Sequence, residues 1–170
     1  MSAGALTHRV ANVADLAAIV AIYNDTVPTR MATADLEPVT VDARRAWFAE
    51  HAGAARPLWV VEREGQVVAW LSFSTFHPRT AYARTLEISV YVASDWRRHG
   101  IGAYLLQAAA QAAPTFGVRT LVGLIFGHNA ASLALFARVG YERWGLLPRV
   151  AILDEIERDL VLVGRRVATP

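Results

Sequence analysis

The chain has no cysteine. That excludes disulfides, thiolate metal sites and a cysteine nucleophile, so no acyl group can be carried as a thioester on the protein itself. No apolar run reaches the roughly 20 residues of a membrane-spanning helix. The first residues, 1–6, lack the basic start and long apolar stretch of a secretory signal, and we expect a cytoplasmic protein that does not associate with membranes. There is no repeat, low-complexity tract or linker. Basic excess is also slight: 17 basic residues face 15 acidic ones, a formal charge of +2. No basic stripe runs along a predicted face, so nucleic acid is not an expected partner. The 170 residues, 54% of them hydrophobic, suffice for one domain with a real core. A pI near 9.4 suits a polyphosphate ligand.

The patterning predicts alternating strands and helices. A first strand is expected over 7–11. A helix over 13–25 follows, with Asn12 as its cap and Asp15 in its first turn. Leu16, Ile19, Val20 and Tyr23 recur at helical spacing and mark its buried face. The stretch 26–38, broken by Pro28 and Pro38, reads as a loop, and Thr40 caps a second helix to about residue 51. Apolar runs over 58–63 and 66–75, separated by Glu64-Gly65, predict an antiparallel hairpin. After a loop over 76–84 come a strand over 86–92 and a helix over 100–113, stopped by Pro114. A strand over 120–126 follows, then a helix over 129–139 ended by Gly140, and strands over 141–147 and 156–164. The order β-α-α-β-β-β-α-β-α-β-β describes a mixed sheet with helices on its faces.

The chemistry concentrates where the strand over 86–92 gives way to a helix. Val90-Tyr91-Val92 is followed by Arg97-Arg98-His99-Gly100-Ile101-Gly102. A helix mouth offers free N–H groups and the positive end of the dipole to an anion. Glycine lets backbone approach a phosphate without a Cβ in the way. A dinucleotide fingerprint is excluded because Leu105 stands where its third glycine would be, and no Gly-Lys-Ser/Thr follows to make a P-loop. By itself Gly-x-Gly also fits a plain tight turn into a helix. On the strand, Leu86, Ile88, Val90 and Val92 share one face, and Glu87, Ser89 and Tyr91 the other. A carboxylate in a largely buried strand needs a partner or a task. Glu87 is a candidate base, or a structural partner for Arg84 or another arginine.

Arg97-x-x-Gly100-x-Gly102 after an apolar strand resembles the pyrophosphate-binding pattern of the GNAT acyltransferases. Downstream, the block from Asn129 through Ser132 and Phe136 to Gly140-Tyr141 is similar to that family's Asn-x-x-Ser/Ala…Gly-Phe/Tyr block. Within the superfamily, Ile22-Tyr23-Asn24-Asp25 resembles the phosphinothricin and methionine sulfoximine acetyltransferases. So does the run through Phe76, His77, Pro78, Arg79, Tyr82, Thr85, Glu87, Ser89, Val90, Tyr91 and Val92. The loop Arg30-Met31-Ala32-Thr33-Ala34-Asp35 differs from that group.

The resemblance implies a single α/β GNAT domain over residues 1–170, with its core at about 7–164. Its sheet would be mixed and mostly antiparallel, with the strands over 86–92 and 120–126 splaying apart to admit acetyl-CoA, and no metal would be needed. It implies that Glu87 is the general base for an acceptor amine, that backbone around Val90, Tyr91 and Val92 binds pantetheine and polarises the thioester, and that Arg97, Arg98, His99, Gly100, Ile101, Gly102 and Ala103 hold the pyrophosphate. Asn129 and Ser132 would touch the cofactor arm. Arg79, Tyr82 and Arg84 would line the pocket of a small amine, with Arg30 and Arg149 as further candidates. A homodimer is implied, and Trp144, Leu146 and Leu147 are compatible with its surface. Phe136 stands where many members carry a tyrosine that protonates the leaving thiolate, so water, His128 or Tyr91 would have to supply that proton. Acetylation of a protein N-terminus or another amine, and a non-catalytic acyl-CoA-binding module, remain open alternatives.

Overall fold

The computed structural model describes residues 5–167; residues 1–4 of the stretch read as lacking a signal lie outside them. Seven strands form one sheet in the order β1-β2-β3-β4-β5-β7-β6. They are β1 (Arg9–Val10), β2 (Leu58–Arg63), β3 (Gln66–Thr75), β4 (Thr85–Val92), β5 (Thr120–Phe126), β6 (Glu142–Leu153) and β7 (Ile156–Arg166). The helices are α1 (Leu16–Asn24), α2 (Val41–Glu50), α3 (Ile101–Ala112) and α4 (Ala130–Arg138). Only β4 and β5 pair in parallel; all other neighbours are antiparallel.

Alternation on the strands builds two cores. Trp59, Leu71, Phe73, Leu86 and Ile88 pack with α3 and α4, joined by Val90 and Val92. Leu58, Val60 and Trp70 point the other way to Ile19, Ile22 and Tyr23 of α1 and to Trp47 and Phe48 of α2. Trp70 donates its indole N–H to Ile19 O, so this large ring is buried without an orphaned donor.

Helix starts follow the predicted caps, with adjustments. Asn12 and Asp15 form a reciprocal capping box, but the first turn, Val13–Asp15, is 3₁₀ and the α-helix begins at Leu16. Asp15 also takes two guanidinium bonds from Arg9, at 2.7 and 2.9 Å. The predicted first strand shrinks to two residues at the sheet edge. Pro114 does not abruptly stop the third helix: it sits in the first turn of a short 3₁₀ segment, Ala113–Phe116, where its missing N–H costs nothing.

The largest correction is β6. The predicted strand over 141–147 runs on to Leu153, past Pro148, through a register irregularity between Leu147 and Ala151. Proline is tolerated because β6 is the outermost strand and the ladder is interrupted there. The hairpin turns at Asp154 and Glu155, both left-handed with φ of 48° and 65°. Among the described residues, no helix is long and apolar enough to cross a membrane.

Candidate active site

β4 and β5 pair at Thr85↔Thr120, Leu86↔Leu121 and Glu87↔Val122, and at no residue beyond. On its other edge β4 stays paired with β3 through Val92↔Ala69. The two central strands therefore part immediately after Glu87 and leave a cleft. Ala93 N donates to Val68 O at 2.8 Å, which makes Val92↔Ala69 a non-hydrogen-bonded pair. By alternation, the backbone groups of Ile88, Val90 and Val92 turn away from β3 into the cleft. Tyr91 turns its backbone toward β3 and its ring to the opposite face from Val90 and Val92.

At the far end of β4 the chain folds into a short 3₁₀ turn, Ser94–Trp96, and then into α3. Arg98 and Gly100 are left-handed, φ 64° and 79°, and the chain turns so that the start of α3 lies beside the end of β4: a Cβ on Gly102 would stand 3.9 Å from Val92. Gly100 caps α3 with no side-chain acceptor; Tyr104 N is the first amide to bond back, to Gly100 O at 2.9 Å. The N–H groups of Ile101, Gly102 and Ala103 are thus uncapped donors at a positive dipole end. A Cβ on Gly100 would meet only open space, whereas one on Gly102 would press Leu135 at 3.1 Å. Gly102 serves close packing of α3 on α4, and Gly100 leaves the mouth open. Arg97, Arg98 and His99 are exposed, with Arg97 Nε donating to Val92 O at 3.3 Å and His99 Nδ1 bonded to Arg97 O at 2.9 Å. Such an arrangement can hold a pyrophosphate.

Glu87 stands at the fork, facing Ser74 on β3 and Val122 on β5. It is half-buried, and among the described residues no side chain bonds or pairs with its carboxylate. The ion pair with Arg84 that would give it a structural role is absent there. Burial, with no compensating charge, pushes its pKa above the ordinary value, which suits a proton acceptor near neutral pH. Beyond it on the same face, the Tyr91 ring stacks on Trp70 at 4.4 Å, and burial raises its phenol pKa.

Arg79, Tyr82 and Arg84 lie exposed on the 76–84 loop that feeds β4. Tyr82 packs on His77 at 4.7 Å. Neither arginine makes an ion pair among the described residues, so both guanidinium groups are available to an anion. Arg30 is not available in this way: it holds Asp154 through two bonds, at 2.7 and 3.0 Å, and donates to Val27 O and Leu36 O, each at 2.9 Å. Arg149 lies 3.9 Å from Glu157.

Asn129 is buried and already occupied. Its Oδ1 accepts from Ser132 N at 3.0 Å and caps α4, and its Nδ2 donates to Met31 O at 2.8 Å, leaving one amide hydrogen. Phe136 is buried against Gly123 of β5 and Tyr141. The loop after α1 contributes a cluster that no motif announced. Tyr23 Oη donates to Asp35 at 2.6 Å and bonds Thr33 Oγ1. Arg44 bonds the same Asp35 oxygen at 3.2 Å and lies over the Tyr23 ring.

Comparison with known proteins agrees with this geometry. The model of the acetyltransferase (GNAT) family matches residues 18–141. The chain is 48% identical to YwnH of Bacillus subtilis over 164 residues, 96% of this chain and all of that one. It is 39% identical to the L-methionine sulfoximine/L-methionine sulfone acetyltransferase of Pseudomonas aeruginosa, over 84% of this chain and 83% of the relative. Among solved structures, a GNAT superfamily phosphinothricin acetyltransferase from Sinorhizobium meliloti, in complex with acetyl-CoA, superposes with a TM-score of 0.89 at 30% identity, covering 95% of this chain and 88% of that one. With a forked sheet, an uncapped helix mouth and relatives of this kind, the chain belongs to the GNAT acetyltransferase family and is an acetyl-CoA-dependent N-acetyltransferase.

Proposed function

We propose that the enzyme acetylates the amino group of a small amino-acid-like acceptor, of the phosphinothricin or methionine sulfoximine/sulfone type, by direct attack on acetyl-CoA with Glu87 as general base. The observation that carries this is the lone, half-buried carboxylate at the point where β4 and β5 part. An acceptor amine arrives as an ammonium and cannot attack until it loses a proton. Glu87, with its raised pKa, takes that proton directly or through one water. The lone pair then attacks the thioester carbonyl, the C–N bond forms and the C–S bond breaks. Negative charge developing on the carbonyl oxygen is met by the N–H groups that Val90 and Val92 aim into the cleft, donors already in place before reaction. The nitrogen, cationic once the C–N bond has formed, sheds its second proton to water, and water passes a proton to the departing thiolate, since Phe136 has none to give.

The N–H groups from Arg98, His99, Gly100, Ile101, Gly102 and Ala103, with the Arg97 and Arg98 charges, fit the pyrophosphate of acetyl-CoA. Ser132 and the remaining amide hydrogen of Asn129 fit its arm. The free guanidiniums of Arg79 and Arg84, with Tyr82 between them, fit the acceptor's carboxylate or phosphinate. A working homodimer is part of the proposal. Its surface is the outer strand β6, where Trp144, Leu146, Leu147, Val150 and Ile152 stand exposed beside an unpaired strand edge. The enzyme works where acetyl-CoA, a charged molecule that does not cross membranes unaided, is held, and we place it in the cytoplasm.

The test is thiol release from acetyl-CoA with L-methionine sulfoximine, L-methionine sulfone, phosphinothricin and a short peptide with a free N-terminus as separate acceptors. Release with one of the first three and not with the peptide supports the proposal. Release with the peptide alone would replace it with N-terminal acetylation.

A further inference from the structure

The segment from Arg30 to Thr33 is held at four consecutive residues by four side chains from other parts of the fold. His128 Nε2 bonds Arg30 O at 2.8 Å. Asn129 Nδ2 donates to Met31 O at 2.8 Å, and Tyr91 Oη donates to Ala32 O at 3.2 Å. Tyr23 Oη bonds Thr33 Oγ1. His128 and Asn129 follow the end of β5, and Tyr91 lies near the end of β4. Those are the diverging tips of the two strands that part after Glu87. Tyr91 and Glu87 share a face of β4. The segment therefore bridges the open end of the fork on the face where the candidate base stands.

We propose that His128 is a positioning residue: through its bond to Arg30 O it sets the height of residues 30–33, a strap on the acceptor side of the fork, and so the fit of the acceptor. This rests on the reading of Glu87 as the base of acetyl transfer. A carbonyl only accepts, so His128 carries its hydrogen on Nε2 and gives it to the strap. Its Nδ1 is then a bare lone pair, buried with no partner, and the ring is stacked on Phe126 at 5.4 Å. The other three anchors have further duties: Asn129 caps α4, Tyr91 stacks on Trp70, and Tyr23 bonds Asp35. His128 makes no hydrogen bond other than that to the strap among the described residues, so its loss reads the strap most cleanly.

The experiment compares wild type, His128→Ala and His128→Gln, whose amide nitrogen can replace Nε2 as donor. Amide hydrogen exchange over residues 27–36 is followed by mass spectrometry, and steady-state KM is measured for L-methionine sulfoximine and for acetyl-CoA. In a folded H128A, exchange over 30–33 quickens and acceptor KM rises, each by about tenfold, the effect of one lost hydrogen bond. Acetyl-CoA KM stays within about twofold of wild type, and H128Q returns both affected quantities toward wild type. Unchanged exchange in H128A overturns the strap. Faster exchange with an unchanged acceptor KM overturns its role in the acceptor pocket, and a fall in kcat alone would make His128 a proton donor instead. If wild type acetylates none of the acceptors, the proposed function fails by itself, and exchange still decides whether His128 holds the strap.

Discussion

At the scale of single residues, Glu87 carries the clearest predictions. Glu87→Gln lowers kcat by about 10²–10⁴-fold, the range of a lost general base, while acetyl-CoA affinity is retained in a binding titration. The sign of the pH dependence follows from burial. The folded pKa lies above the unfolded one, so the stability this group contributes is present below its unfolded pKa and is lost as pH rises through the folded value. At pH 7–8 the wild type carries that loss and the glutamine variant does not. A thermal melt at pH 8 should therefore place Glu87→Gln above wild type, although it is the less active protein. Activity follows the opposite course, because the base works only when deprotonated: wild type gains rate as pH rises through the raised pKa, and the variant lacks that limb. Glu87 was legible as a candidate because a carboxylate interrupts an apolar strand. His128 was named only as a proton source; its hold on Arg30 and the Tyr23–Asp35 pair were not legible, because the partner lies 98 residues away for His128 and in an irregular loop for Tyr23.

At the scale of elements, the mouth of α3 is the part most easily tested. Gly100→Val sets a branched side chain at φ +79°, a conformation that costs such a residue about 1–2 kcal/mol, and fills the space in front of the uncapped amides. The variant should fold with a lower Tm and lose acetyl-CoA binding in calorimetry; full affinity would remove the pyrophosphate from this loop. In the 76–84 loop, Arg79→Gln and Arg84→Gln should each raise the acceptor KM about tenfold or more, as loss of a charge-assisted hydrogen bond does, with acetyl-CoA KM unmoved. Strands β2, β3 and β5 have the bounds that their apolar runs predict. Glu64-Gly65 announces its turn because glycine follows. The β6–β7 turn uses Asp154-Glu155: aspartate tolerates left-handed backbone but glutamate rarely adopts it, and no glycine marks the pair as a turn; Pro148 disguises a strand that continues past it. What failed to show was local geometry overridden by long-range pairing.

At the scale of the whole molecule, the order of elements and the parting of the central strands were both readable, the first from periodicity and the second from family resemblance. The subunit surface is a matter for experiment. If β6 is the dimer surface, light scattering should report twice the mass of one chain for wild type and a mass near 18.6 kDa for Leu147→Arg with Ile152→Arg, which places two charges on β6. Every one of the 17 basic residues is arginine. A chain without lysine offers acetyl-CoA no ε-amine, so prolonged incubation should leave intact mass unchanged apart from the N-terminal amine. The guanidinium stays protonated and is not a nucleophile at neutral pH.

The clamp between Arg30 and Asp154 spans 124 positions of sequence, and it sets a timetable for synthesis. Residues 30–33 leave the ribosome well before the groups that fasten them, at positions 128, 129 and 154, are made. At about 5–20 residues per second, on the order of ten seconds separates Arg30 from Asp154. For most of that interval the nascent chain has its α1–α2 half without a complete β5 to form the fork, and at its end β7 is still to come. A newborn enzyme should therefore stay silent until β7 is translated, and a chain truncated before residue 154 should show no acetyl transfer in the thiol-release assay.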